Sequence, residues 1–261
     1  LGFLLLLATL RVDYRRLRRF TGLFAFLAPL FLLVVLFVGE EIQGARRWVN
    51  LGLFTFQPSE FAKLSLVFVL AHYLAELGSG IRNLVTGILL PLVYTGIIGL
   101  LIILEPDLGT MVVVFGIFFI MLFAAGARLF HLFLVGLFGA GAGVGLILKE
   151  PYRLRRLFSF LDPASDPTGD GWQINQGLMA LGSGGLFGVG LGRSRQKFFY
   201  LPESHADYIF AIIGEELGLI GTVFLLFLFF LIAWRGYKIA LTVPDRYGSL
   251  LAVGITSCIV V

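Results

Sequence analysis

The chain has 261 residues, 58% of them hydrophobic with 27 Phe, and its mean hydropathy is +0.95, an apolar share above the roughly 45–50% of soluble domains that excludes an ordinary soluble enzyme. The formal charge of +4 comes from basic residues lying between apolar runs, which points to lipid headgroups and phosphate as partners and away from nucleic acid. Cys258 is the single cysteine, so an intrachain disulfide and a Cys-based metal site are both excluded.

A helix needs about 20 apolar residues to cross a hydrocarbon core of roughly 30 Å. Whole spans are predicted over 20–38, 58–76, 84–104, 109–126, 129–148 and 207–233. The apolar ends, 1–10 and 247–261, are too short to span, and the expectation is a membrane domain cut inside a helix at each end. Alternation places 11–19, 77–83, 127–128 and 234–246 on one side, and 39–57, 105–108 and 149–206 on the other. The first set carries Arg11, Arg15, Arg16, Arg18, Arg19, Arg82, Arg128, Arg235, Lys238 and Arg246, so positive-inside makes that side cytoplasmic. The predicted fold class is an all-α polytopic membrane helix bundle, one domain over 1–261 with a large extracytoplasmic loop, 149–206. That loop also carries Lys149, Arg153, Arg155, Arg156, Arg193, Arg195 and Lys197, cations that a purely topological account leaves unexplained.

In chain order, the first chemical signal is FQPSEFAKL. Pro58 suits the first helical position and Glu60 the first turn, and Lys63 follows on the same helix face. A lysine one turn into a span costs several kcal/mol unless it faces a cavity or a partner, so Lys63 is a functional candidate, with a structural Glu60–Lys63 pair as the alternative. ILEPDLGT places Glu105 and Asp107 in a tight turn, where Asp107 is expected to cap the next helix. YRLRRLFSFL, 152–161, reads as an amphipathic helix at the membrane surface or on the protein itself, and Asp162, Asp166 and Asp170 read as solvated turns, since calcium-loop spacing is absent.

The Gly-rich GVGLGRS stretch fits neither nucleotide-binding pattern. Two readings stay open for it: close backbone packing, or bare amides lining a ligand groove. His72, His131 and His205 lack metal-ligand spacing, and neither a nucleotide nor haem is expected. Glu215 and Glu216 lie two turns inside the last full span, where at least one must face the protein interior, as a hydrogen-bonding group.

Taken together, GARRWVNLG, FQPSEFAKL, EPDLGT and the run from GDGWQINQG to PESHADYIFAIIGEELGLIG resemble, in order and spacing, the SEDS family of cell-wall polymerases, the FtsW, RodA and SpoVE group, with the balance closer to the division-type branch. The resemblance covers nearly the whole chain. It implies a ten-helix protein of which about eight helices are represented here. It further implies a peptidoglycan glycosyltransferase that polymerises lipid II into glycan strands at the outer face of the cytoplasmic membrane, in division or elongation. A class B penicillin-binding protein, the crosslinking transpeptidase, and other divisome or elongasome membrane proteins are the implied partners. The family's essential aspartate, in its PE-x-H-T-D-F-I-F motif, maps onto Asp207 of PESHADYIF, with Ala206 and Tyr208 departing from the usual Thr and Phe.

On this resemblance Asp207 is the candidate general base, at a partly desolvated helix mouth, with Glu203 shaping or orienting the turn before it. Lys63, Arg153, Arg193, Arg195 and Lys197 are candidates for holding a departing lipid pyrophosphate, and Glu60, Glu203 and His205 complete the substrate-binding set. Asp207 is also the candidate ligand for a divalent cation, Mg or Mn. A lipid II flippase and a non-catalytic scaffold for the transpeptidase are the competing readings. Against both stands the concentration of charge on one side of the membrane, since alternating access favours sites near the midplane.

Overall fold

The computed structural model describes residues 2–42, 45–50, 52, 55–149, 154–155, 158–159, 162, 171–199 and 207–261. Among the described residues, five helices are long and apolar enough to cross a membrane: Tyr14–Val38, Pro58–Arg82, Val85–Leu104, Leu108–Ala125 and Ile209–Thr242. The chain divides into two compact units, Leu1–Val135 with Ile232–Val261, and Gly136–Leu231.

The first unit is a helix bundle. Its elements are α1 (Gly2–Thr9), α2 (Tyr14–Leu17), α3 (Thr21–Val38), α4 (Pro58–Leu77), α5 (Leu90–Leu104), α6 (Leu108–Ala125) and the terminal α11 (Arg246–Val260), with α7 (Leu129–Lys149) leading into the second unit. Helix α4 is central, flanked by α3, α6 and α11. Leu66, Val67, Leu70, Ala71 and Leu74 of α4 bury against a core that includes Ala28, Leu32, Ile117, Phe118 and Met121. Small residues set the approach, since a Cβ at Gly254 of α11 would strike Val67 of α4 and Met121 of α6. The Ser65 hydroxyl donates to the Phe24 carbonyl of α3, 2.7 Å away, which satisfies a polar group inside the apolar contact.

The two ends of this bundle differ. At one end, Arg18 donates to His72 Nδ1 (3.1 Å) and to Glu76 (2.9 Å), Arg246 donates to the Ala125 carbonyl (2.9 Å), and the Tyr14 hydroxyl donates to Asp245. That hydrogen bond holds the Asp245 carboxyl below the ordinary carboxylate range. At the other end, β1 (Glu40–Ile42), β2 (Ala45–Asn50) and β3 (Thr55–Phe56) form a small antiparallel sheet in the order β1-β2-β3, with Glu41 opposite Arg46 and Val49 opposite Phe56. Within this unit, contacts join 11–19 to the end of α4 and the start of α11, and 39–57 to 105–108, as the predicted alternation groups them. The sheet itself was not predicted, because a strand of six residues needs a partner that local hydropathy does not name.

The second unit holds α8 (Trp172–Gly184), the short α9 (Gln196–Phe199) and most of α10 (Ile209–Thr242). Helix α10 is longer than the predicted span of 207–233. Arg235 and Lys238 end the apolar run, but nothing stops the helix before Pro244, and Lys238 lies 5.4 Å over the Trp234 ring. The helix is also broken at Gly218, whose φ of 68° and ψ of −167° lie outside any helical region. The amphipathic helix predicted over 152–161 falls largely outside the described residues, as do Asp166 and Asp170.

Candidate functional site

In the first unit, the PSEFAK segment folds as the sequence implies. Pro58 opens α4, Glu60 lies in its first turn, and Lys63 Nζ is 2.8 Å from Glu60 Oε1. Lys63 is mostly covered, 17% exposed, whereas Glu60 is 59% exposed, so the pair presents its carboxylate outward and its ammonium inward.

Asp107 caps α6 as expected, accepting from the Thr110 amide (3.0 Å) and the Thr110 hydroxyl (2.8 Å). Glu105, two residues earlier, was not singled out as buried, yet it is 0% exposed and both its carboxyl oxygens lack a hydrogen-bond partner among the described residues. Burial pushes the Glu105 carboxyl up to about 8, with Asp107 adding to the rise and Arg47 opposing it. Arg47 of β2 reaches the turn but donates to backbone, to the Glu105 carbonyl (2.9 Å) and the Pro106 carbonyl. The sheet therefore clamps the turn, leaving the Glu105 side chain enclosed. No local signal marks the clamp, since Arg47 lies 58 positions away.

In the second unit, Asp207 lies in the turn that opens α10, and it is exposed where the sequence implied a partly desolvated mouth. The next residue, Tyr208, faces Gly177 of α8, where a Cβ would meet its ring at 3.0 Å. Arg193 and Arg195 are exposed and Lys197 is half-buried. Arg153, Glu203 and His205 lie outside the described residues. Among the described residues no three His, Cys, Asp or Glu side chains gather as a metal site.

Glu215 takes the interior position expected of the Glu215–Glu216 pair. It is 3% exposed and accepts from the Ser194 hydroxyl and from the Arg195 amide, 3.0 Å away. The Gly-rich stretch resolves toward close packing at two of its amides: Val189 and Gly190 donate to the carbonyls of Glu215 and Glu216 (2.9 and 3.1 Å). Leu219 and Ile220 in turn donate to the carbonyls of Gly185 and Leu186 (2.9 and 3.3 Å). A groove of about 450 Å³, lined by Leu219, Ile220, Val223, Phe224 and Phe227, is apolar and belongs to the lipid-compatible surface of α10.

A multi-pass helical membrane protein with a lysine–glutamate pair at one helix start and an exposed aspartate at another defines the class. The chain belongs to the FtsW/RodA/SpoVE family, whose profile, described as cell cycle protein, matches residues 1–261. It is 45% identical over 265 residues to stage V sporulation protein E of Bacillus subtilis (strain 168), covering 100% of this chain and 72% of that protein. To a probable peptidoglycan glycosyltransferase FtsW of Escherichia coli O6:H1 it is 44% identical over 258 residues, covering 98% of this chain and 62% of that protein. Among solved structures it is similar to a chain of a peptidoglycan synthase complex described as coordinating polymerization and crosslinking (TM-score 0.80, 33% identity, 98% and 72% coverage). It is also similar to the rod shape determining protein RodA of Thermus thermophilus (TM-score 0.64, 31% identity, 97% and 68% coverage).

Proposed function

We propose that the protein is a peptidoglycan glycosyltransferase that polymerises lipid II at the outer face of the bacterial cytoplasmic membrane. A relative at 44% identity is named probable peptidoglycan glycosyltransferase, and this likeness over nearly the whole chain is the observation that carries the reading. The chain spans 62% of that relative's length, and the activity is proposed for the whole protein.

The site residues support a direct displacement. Asp207, exposed at the start of α10, accepts the proton of the acceptor sugar's hydroxyl as its oxygen bonds to the donor's anomeric carbon. The bond from that carbon to the lipid pyrophosphate breaks, and the leaving group departs with the electron pair. Arg193, Arg195 and Lys197 supply the positive charge that this departure calls for, and Lys63 is a separate substrate-binding candidate within the first unit. The basic residues of 11–19 and 234–246 support a cytoplasmic position for that end, and with it an outer position for Asp207 at the start of α10. A divalent cation on Asp207 would add charge for the same leaving group. A class B transpeptidase and further division or elongation membrane proteins are the proposed partners, and lipid II and the growing strand the proposed ligands.

The test is reconstitution of the whole protein, as the only polymerase present, with lipid II, with and without a class B transpeptidase. Glycan strands resolved on a gel are the expected product. Intact lipid II in both arms, with lipid II movement across vesicles, would establish the flippase instead.

A further inference from the structure

Helix α10 carries two chemistries on one rod. Asp207 lies at its start and Glu215 eight residues on, about 12 Å along the axis at 1.5 Å per residue. Glu215 is enclosed in the helix face next to the break at Gly218. A buried carboxyl is costly unless donors meet it, and here two do, both from one short segment: the hydroxyl of Ser194, itself 1% exposed, and the amide of Arg195. Ser194 Oγ also accepts from the Lys197 amide at 3.1 Å, so the same hydroxyl starts the turn of α9. Residues 193–197 are thus tied to α10 by a carboxyl at their centre, while the Arg193 and Arg195 side chains are exposed.

Four backbone hydrogen bonds make the seat rigid. Val189 and Gly190 donate into the carbonyls before the break, and Leu219 and Ile220 donate out of the amides after it. Gly188 and Gly218 have φ of 78° and 68°, and a Cβ on either would strike the other segment's backbone. A helix broken within a membrane leaves carbonyls and amides that need partners, and the 185–190 segment supplies them. The cationic segment begins three residues after this seat.

Resting on the polymerase reading above, we propose that Glu215 is a positioning residue: through Ser194 and the Arg195 amide it fixes the Arg193–Lys197 cations at a set distance from Asp207, where they hold the polyprenyl pyrophosphate of the substrate. Glu215 touches no substrate. Its effect is to hold the charge cluster on the helix that carries the base, so that binding of the phosphate end aligns the sugar end.

Steady-state polymerisation by the whole protein, with lipid II as sole substrate, tests this. Glu215→Ala is expected to raise KM about tenfold with a smaller fall in kcat, the size of one lost hydrogen-bonded anchor. Glu215→Gln, which keeps an acceptor for the Arg195 amide, is expected to recover most of that KM, and Ser194→Ala to raise it by a few-fold. A purely structural Glu215 lowers the fraction of folded enzyme, so it lowers kcat at constant KM, and that pattern in Glu215→Ala would overturn the proposal. If Glu215→Ala does not fold, an unchanged KM in Ser194→Ala overturns it equally. Absence of polymer from the wild-type protein sinks the functional reading itself, a result distinct from either.

Discussion

The two units answer the same demand, that no backbone polar group be left bare in lipid, in different ways. In the first, the helical ladders of α3, α4, α6 and α11 satisfy the backbone, and side-chain packing around Leu66, Leu70 and Phe118 holds them together. In the second, α10 breaks its own ladder at Gly218, and a neighbouring Gly-rich segment repairs it with hydrogen bonds between chains of backbone. The first arrangement tolerates changes of side chain at its lipid face. The second tolerates almost none where glycine meets glycine, and it is there that an interior carboxyl and a cationic segment are held beside Asp207's helix.

One substitution, made in both units, should separate them most. Gly188→Ala forces a side chain into positive φ and against the Glu216 carbonyl, so a loss of roughly 3 kcal/mol or more is expected. Gly96→Ala in α5 meets nothing within 4 Å, and a gain of up to about 1 kcal/mol is expected there. Thermal unfolding in detergent, followed by tryptophan fluorescence, measures both. Similar changes of either sign would dissolve the contrast.

Glu105 gives the next largest effect, within the first unit. Its folded carboxyl titrates near 8 and an unfolded one near 4.5, so between those values the folded state binds the extra proton. Stability contributed by this group is full below about pH 4.5 and falls as pH rises toward 8, by a few kcal/mol in all. Glu105→Gln should therefore remove the decline, giving a larger rise in Tm at pH 8.5 than at pH 5. An equal shift at both pH values would mean that the carboxyl keeps a partner or a proton-independent role.

The smallest stability effect is expected at Lys63. Its partner Glu60 is 59% exposed and free to be hydrated, so Lys63→Ala should change unfolding by about 1 kcal/mol or less while impairing polymerisation. Lys63→Arg, with a larger planar head in a site that encloses an ammonium, should also be impaired. Loss of folded protein in Lys63→Ala would instead assign the pair to structure.

Much of the first unit was legible in the sequence because its cues are local. Lipid thickness sets span length, three-residue spacing pairs Glu60 with Lys63, and Asp107 stands where an N-cap belongs. Glu215 was legible as an interior group from its depth in a span. What escaped depends on residues far apart in the chain. The β1–β3 sheet needs its own register, the clamp on the Glu105 turn needs Arg47, and the break at Gly218 is defined by its pairing with 185–190. Ser194 has no signature until the carboxyl that it serves is seen above it. The exposure of Asp207 likewise follows from the turn that presents it, which hydropathy assigned to the edge of a span.

The account rests most heavily on Asp207 as the base. Asn at this position keeps the size and accepts most of the same hydrogen bonds, but it takes up no proton. Asp207→Asn, purified and reconstituted with lipid II as the only polymerase, should show wild-type unfolding and nearly unchanged KM, with kcat reduced about 10²–10⁴-fold. Strand synthesis at a near-normal rate by that variant would contradict the assignment and move the base to another carboxyl, with Glu60, Asp107 and Glu203 the next to test.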